Sequence, residues 1–399
     1  MRVVLTVDFS PWSPYSGGAQ RSTDRLAQAL ARRGHRVTVV YTRALLDRTQ
    51  APPGLPYAVR WARLPALRSR RAAPLRPLSG LAVREVLREL LADAREPTIV
   101  HCNGEEGAFL PALRERRRFA LVATPRHPGY PAAFADGWPR SLAARLRIAA
   151  VDGKYLAQGV VARAADRVCP PSAYAGELVA RAFAIAPSRI TPVHNGVDPV
   201  FLDAAPRRPP AAGPLLFFGR LEADKGILEL VDAWRRLPAP PPLQVVGRGS
   251  LEAELRARRA ALPATHRLEL LDWQAPAALA ELARAAGLVA LPSRRESFGN
   301  AIAEAMAVGA PVLTADATAL PELVRHGERG WLVPPGDVEA LAAALARLIE
   351  DAPLRATLGA AAARWAREHL SWDATAARFE AIYADLADRD TNADLRAPE

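Results

Sequence analysis

The 399-residue sequence predicts an α/β protein made of two doubly wound halves. Three observations predict it. Short apolar runs alternate with amphipathic helical stretches along most of the chain. Glycine-containing loops follow several of these runs, at the strand ends where open α/β sheets receive ligands. A Pro/Ala-rich stretch, LDAAPRRPPAAGP (Leu202 to Pro214), has no hydrophobic period, and the alternation restarts after it. Domains are expected at 1–202, with a linker at 203–214, and at 215–372, followed by a C-terminal helix at 373–399 that crosses back to the first domain and ends in a tail.

Val3 to Asp8 reads as a buried strand and PWSPYSGGAQ as the loop after it. Gln20 to Arg33 reads as a helix with Leu26 and Leu30 on one face and Gly34 as its stop signal. HRVTVVY completes a βαβ unit, and TIVHC, FALVAT and DRVCPPS are further strands. Beyond the linker come strand LLFFG, helix GILELVDAW, strand LQVVG, a helix from Leu251, strand LELLD, helix APAALAELARAA and strand LVALPS. Two such halves on a Pro-rich hinge imply a cleft between them.

Composition narrows the class. The two cysteines, Cys102 and Cys169, have no ligand spacing, so neither a disulfide framework nor a zinc site is expected. The run after Met1 is too short for a signal-peptide core, and no stretch of about eighteen apolar residues exists, so a cytoplasmic, reduced protein is expected. The net charge of +11 is uneven: 30 Lys+Arg face 16 Asp+Glu up to Ala205, and 23 face 26 beyond it. The basic half has reason to meet an anionic partner, whether phospholipid at the inner face of the cell membrane, lipid-linked phosphate or nucleic acid. From Thr49 to Arg84 there is no acid, while Arg60, Arg63, Arg68, Arg70, Arg71 and Arg76 interleave with Trp61, Leu64, Leu67 and Leu75; a mobile loop or broken helix is expected there.

Four loops carry the candidate chemistry: SGGAQ (Gly17, Gly18), FFGRLEADKG (Gly219, Arg220, Lys225, Gly226), VVGRGS (Gly247, Arg248, Gly249) and RRESFGN (Glu296, Gly299, Asn300). Glycine lets a ligand approach the backbone, and a following helix offers free N–H groups to an anion. G-x-G-x-x-G and G-x-x-x-x-G-K-S/T are both missing from their proper contexts, which counts against a dehydrogenase or a P-loop NTPase. Arg220 and Lys225 share one loop and suit two phosphates, although Glu222 and Asp224 lie close by. Amides of Gly299, Asn300 and Ala301 would meet a phosphate, with Glu296 facing one side of it and Glu304 the other. Two acceptors flanking a diphosphate describe a nucleotide sugar: Glu296 on the hexose, Glu304 on the ribose.

In this arrangement the chain resembles a retaining glycosyltransferase of the GT-B fold, in the group 1 class (family GT4). The likeness rests on GGAQ with LAQALARRGHRVTVV, then VHNGVDPVF, FFGRLEADKGILELVDAW, VVGRGS, the E-x7-E segment Glu296–Glu304 and GERGWLVPPGDVEALAAAL. The resemblance implies two Rossmann-like domains facing a central cleft, an acceptor-binding first domain and a nucleotide-sugar-binding second one. It implies a diphosphate held by Arg220 and Lys225, Glu304 on the ribose, Glu296 on the transferred sugar and Gly18 near the diphosphate. Arg248 and LDWQ (Leu271 to Gln274) lie where the family brackets the base. The family often has Glu at Gln20. It also places a histidine after the strand matching LVAT, where TPRHPGY offers His127 with the expected spacing displaced by Pro125 and Arg126; His101, in TIVHCNGEE, is the rival.

The implied reaction moves a hexose from a nucleotide-diphosphate sugar to a glycan or lipid-linked acceptor, in cell-surface polysaccharide or glycolipid synthesis. No metal and no cofactor are expected, because cationic side chains and a helix N-terminus can stabilise the leaving diphosphate. A sugar-nucleotide epimerase on the same fold and a non-catalytic sugar-nucleotide-binding subunit are the alternatives. With 6% aromatics and no known module, nucleic-acid binding is not expected.

Overall fold

In a computed structural model, which describes residues 1–14, 16–44, 47–64, 79–92, 96–114, 119–126, 138, 141–203 and 213–394, the predicted strands are all present. The chain divides into two units, Met1–Gly196 with Trp372–Glu399, and Val197–Ser371. The first boundary lies before residue 202, because Val197 and Phe201 are buried in the core of the second unit. Residues 204–212 of the Pro-rich stretch lie outside the described residues.

The first unit holds a parallel sheet of β1 (Arg2–Val7), β2 (Arg36–Ala44), β3 (Ala58–Leu64), β4 (Thr98–Cys102), β5 (Ala120–Ala123) and β6 (Arg167–Val168), in the order β3-β2-β1-β4-β5-β6. Its helices are α1 (Gly18–Arg32), α2 (Ser79–Leu90), α3 (Leu110–Arg114), α4 (Leu142–Ala164) and α5 (Ala173–Phe183). Both faces of the sheet are covered, so its strands read as continuous apolar runs. Val3, Leu5 and Val7 point to the face packed with Leu26, Leu30 and Tyr41. Val4 points to the other, with Val100, Leu121 and Phe183. The C-terminal helix (Trp372–Asp394) belongs to this unit and buries Trp372, Phe379, Tyr383 and Leu386 on the first face.

Strand β3 corrects the loop or broken helix expected across 49–84. It pairs with β2 from Thr38↔Ala58 to Ala44↔Leu64. Ala62 is buried, the Trp61 ring lies 5.9 Å from Tyr41 beneath the Arg43 guanidinium, and Arg60 and Arg63 are exposed. Arginines on an edge strand oppose pairing with another chain, and here they disguised the strand as a basic loop. Arg68, Arg70, Arg71 and Arg76 lie outside the described residues.

The second unit begins with α6 (Pro199–Leu202) and continues β7 (Leu215–Phe218), α7 (Ile227–Trp234), β8 (Leu243–Val246), α8 (Glu252–Ala260), β9 (Leu268–Leu271), α9 (Pro276–Ala285), β10 (Leu288–Leu291), α10 (Asn300–Ala307), β11 (Val312–Ala315), α11 (Leu320–Leu323), β12 (Trp331–Val333), α12 (Val338–Glu350) and α13 (Ala352–His369). Its parallel sheet has the order β12-β11-β10-β7-β8-β9. Counted from its own first strand, this matches the order of the first sheet. Strands β11 and β12 are additions to the sequence reading: one follows Pro311 directly and the other is only three residues long. In each sheet the strand order reverses between the first and fourth strands, β1/β4 and β7/β10. The crevice at the carboxyl ends of these pairs is where such sheets bind ligands.

Candidate functional site

The loops leaving β7 and β10 are the two switch-point loops of the second sheet, and they carry Arg220, Lys225 and Glu296. The first descends through the turn Ala223–Lys225 to Gly226, whose φ of 71° caps α7. A Cβ at Gly226 would stand 2.2 Å from the Pro292 carbonyl oxygen. Glycine is required there because the backbones of the two loops touch.

This contact brings the charges together. Lys225 Nζ lies 2.7 Å from Glu296 Oε1 and 3.8 Å from Asp224 Oδ2. The side chains of Lys225 and Glu296 are 13% and 21% exposed, so the pair is only partly screened by water. Arg220 is exposed, 3.7 Å from Asp224. The Glu296 amide donates to Thr318 Oγ1 at 3.0 Å, and Thr318 itself holds a left-handed φ of 55°. The side chains expected to meet the phosphate and the sugar, Lys225 and Glu296, are thus in direct contact.

Gly299 is the buried N-cap of α10, with Asn300 and Ala301 as its first residues. Their amide groups and the helix dipole favour an anion at that end. Glu304 follows one turn later, half-buried. On the neighbouring loops, Arg248 forms a two-pronged ion pair with Asp272, Nε to Oδ1 at 2.7 Å and Nη2 to Oδ2 at 2.9 Å. Their hydrogen bond raises the Arg248 pKa and lowers that of Asp272. Trp273, 56% exposed, stands beside them as an open aromatic face.

In the first unit, Gly18 opens α1 after the β1 loop, with Gly17 as N-cap. Gln20 donates from Nε2 to the Asp8 carbonyl at 2.6 Å and accepts the Gly17 amide at Oε1 at 2.9 Å. A glutamate there would lack the N–H that satisfies Asp8. His101 is fully buried, with Nδ1 2.6 Å from the Tyr383 hydroxyl and Nε2 2.6 Å from Thr124 Oγ1. Burial, helped by the Arg126 charge, holds its pKa down to about 3. His101 is therefore a neutral packing residue and not an exposed acid or base. His127 lies outside the described residues.

A polar knot that the sequence motifs do not mark lies at the β1/β4 switch point. Glu106 Oε1 accepts the Thr6 hydroxyl at 2.9 Å and the amides of Asn103 and Gly104 at 2.9 and 3.0 Å. Burial, with Asp8 and Glu105 nearby, pushes Glu106 up to about 8. Arg126 donates to Asn195 Oδ1 at 2.6 Å and Asn103 Oδ1 at 2.9 Å. The signal was present in NGEEG, acids between glycines directly after a strand.

Residues 206–365 match the family model "Glycosyl transferases group 1", and residues 16–201 match "Glycosyltransferase Family 4". A D-inositol 3-phosphate glycosyltransferase of Xylanimonas cellulosilytica is 34% identical over 264 residues, 59% of this chain and 61% of that protein. A glycogen synthase of Mycobacterium tuberculosis is 32% identical over 229 residues, 55% of this chain and 54% of the other. The chain thus spans less than two thirds of the length of these relatives. Among solved structures, sucrose-phosphate synthase from Thermosynechococcus elongatus superposes with a TM-score of 0.74 at 22% identity, over 97% of this chain and 99% of that one. The Anabaena protein HepE in complex with UDP-glucose does so at 0.70 and 21%, over 96% and 100%. At these identities the likeness concerns the fold: GT-B, with two Rossmann-like domains.

Proposed function

From a chain that belongs to the group 1, family 4 glycosyltransferases, we propose a retaining hexosyltransferase that uses a nucleoside-diphosphate sugar. The observation that carries this reading is the meeting of Lys225 and Glu296 at 2.7 Å where both switch-point loops of the second sheet converge, beside the N-terminus of α10. Lys225 and Arg220 take the diphosphate, with the amides of Gly299, Asn300 and Ala301. Glu304 accepts from the ribose hydroxyls and Glu296 from those of the hexose. Arg248 and Trp273 border the base. As the glycosidic bond breaks, charge grows on the departing phosphate, and preorganised cations and amides stabilise it more than they stabilise the bound donor. That phosphate helps deprotonate the acceptor hydroxyl attacking the same face. The acceptor is a glycan or lipid-linked sugar recognised by the first unit, in polysaccharide or glycolipid synthesis. A solved relative in complex with UDP-glucose supports a donor of this class.

A panel of UDP-, GDP- and ADP-sugars, scored for nucleotide release with and without lipid-linked acceptors, tests the proposal. One donor should be consumed, faster with acceptor; consumption of none would end it. The same assay in EDTA is expected to keep its rate, since Lys225, Arg220 and the α10 amides meet the diphosphate charge. Loss on chelation restored by Mg²⁺ or Mn²⁺ would contradict that.

No helix among the described residues is long and apolar enough to cross a membrane. The basic stretch around β3 supports peripheral contact with anionic lipid, each arginine near the headgroups contributing about 1 kcal/mol. Wild type should cosediment with anionic liposomes at low salt and less at high salt. A variant with Arg60, Arg63, Arg68, Arg70, Arg71 and Arg76 changed to Gln should bind more weakly. Equal binding by both, or binding by neither, would favour a soluble acceptor.

A further inference from the structure

The two switch-point loops of the second unit are joined by the first residue of RRESFGN, which has no part in the donor-site reading. Arg294 lies two positions before Glu296. Its amide donates to the Asp224 carbonyl at 2.8 Å, and its Nη2 donates to the Ala223 carbonyl at 2.8 Å. The same nitrogen stands 3.3 Å from Glu229 Oε1 on α7. From the opposite loop, Lys225 Nζ reaches back to Glu296 at 2.7 Å and to the Arg295 carbonyl at 3.4 Å.

The turn that presents Lys225 needs such help. Ala223–Lys225 is one short 3₁₀ turn, closed by Lys225 N to Glu222 O at 3.0 Å and Gly226 N to Ala223 O at 3.4 Å. A turn of this length is held mainly by its surroundings. Arg294 supplies them: the two N–H bonds of its Nη2, fixed in the guanidinium plane, can serve the Ala223 carbonyl and the Glu229 carboxylate at once, whereas an ammonium is a compact point charge on a flexible stem. Its side chain is 44% exposed, so these bonds add little to the stability of the whole unit. They act instead on the placement of one loop against the other.

We infer that Arg294 is a positioning residue: by clamping the 223–224 turn, it sets the separation between the phosphate-binding ammonium of Lys225 and the sugar-binding carboxylate of Glu296. This inference rests on the donor-site reading above, and its test separates the two. Arg294→Ala, Arg294→Lys and Lys225→Ala are compared with wild type on whichever of UDP-glucose, GDP-mannose and ADP-glucose the wild type consumes. Turnover, KM for the donor and thermal melting are recorded, with and without added guanidinium chloride at low millimolar concentration.

A misplaced catalytic group costs up to about 10²-fold. Arg294→Ala should lose about that in kcat, with donor KM and melting temperature nearly unchanged, and guanidinium should restore part of the loss. Arg294→Lys should fall between wild type and Arg294→Ala, since lysine keeps the charge without the fixed planar donors. If Arg294→Ala fails to fold, Arg294→Lys decides alone: reduced kcat at unchanged melting supports the inference, and wild-type kcat overturns it. Wild-type turnover in Arg294→Ala beside a crippled Lys225→Ala overturns the clamp and leaves the donor site standing. Wild-type turnover in both removes the donor-site reading itself.

Discussion

Alanine at Lys225 or at Glu304 is expected to lower turnover by about 10²–10³-fold, the usual effect of removing one preorganised contact to developing charge. For Lys225 the loss has two parts. The diphosphate loses its least exposed side-chain cation in these loops, at 13% against 66% for Arg220. Glu296, 21% exposed, also loses the ammonium 2.7 Å away and repels the incoming phosphate. Glu304 stands one turn into α10, whose N-terminal amides are proposed to meet the same anion, so its loss should fall on nucleotide engagement and leave the fold intact. Steady-state nucleotide release with matched circular dichroism checks both variants. Near-wild-type turnover in the two would show that the donor lies elsewhere.

Gly247→Ala is expected to be the most destabilising of the conservative substitutions around the site. Gly247 has a φ of 146°, and a Cβ there would stand 1.9 Å from the Gly219 carbonyl oxygen. The obstacle is backbone, so a rotamer change cannot relieve it. A strained φ and an overpacked contact each cost about 1–3 kcal/mol, so roughly 4 kcal/mol together is expected. In a unit of this size that lowers the melting temperature by about 8–16 °C. The clash would also displace the loop that carries Arg220, so donor turnover should fall with stability. Thermal melting followed by far-UV circular dichroism measures the first effect, and an unchanged melting curve would contradict the packing described.

The strands that build the site were legible because both sheets are covered on both faces, leaving runs such as LLFF and LVAL with four buried residues in a row. The loops of the candidate site were legible through glycine, whose use at 226 and 247 has a local steric cause. What was not legible depends on pairings distant in the chain. Lys225 and Glu296 meet across 71 positions, as do Arg294 and Ala223. No local period encodes such contacts. Strand β3 was hidden because Arg60 and Arg63 face solvent on an edge, and composition outweighed the buried Ala62. His101 looked like a candidate acid or base because a histidine at a strand end gives no sign of its burial. Its partner Tyr383 comes from the helix at the far end of the chain.

Retention of configuration during transfer is tested most directly by proton NMR of the sugar first released from the α-linked donors UDP-glucose, GDP-mannose and ADP-glucose. With water as acceptor, the donor consumed from the UDP-, GDP- and ADP-sugar panel should yield nucleoside diphosphate and the α-anomer of the unchanged hexose before mutarotation. Initial release of the β-anomer, an epimerised hexose, or no consumption of any donor in the panel would contradict the account.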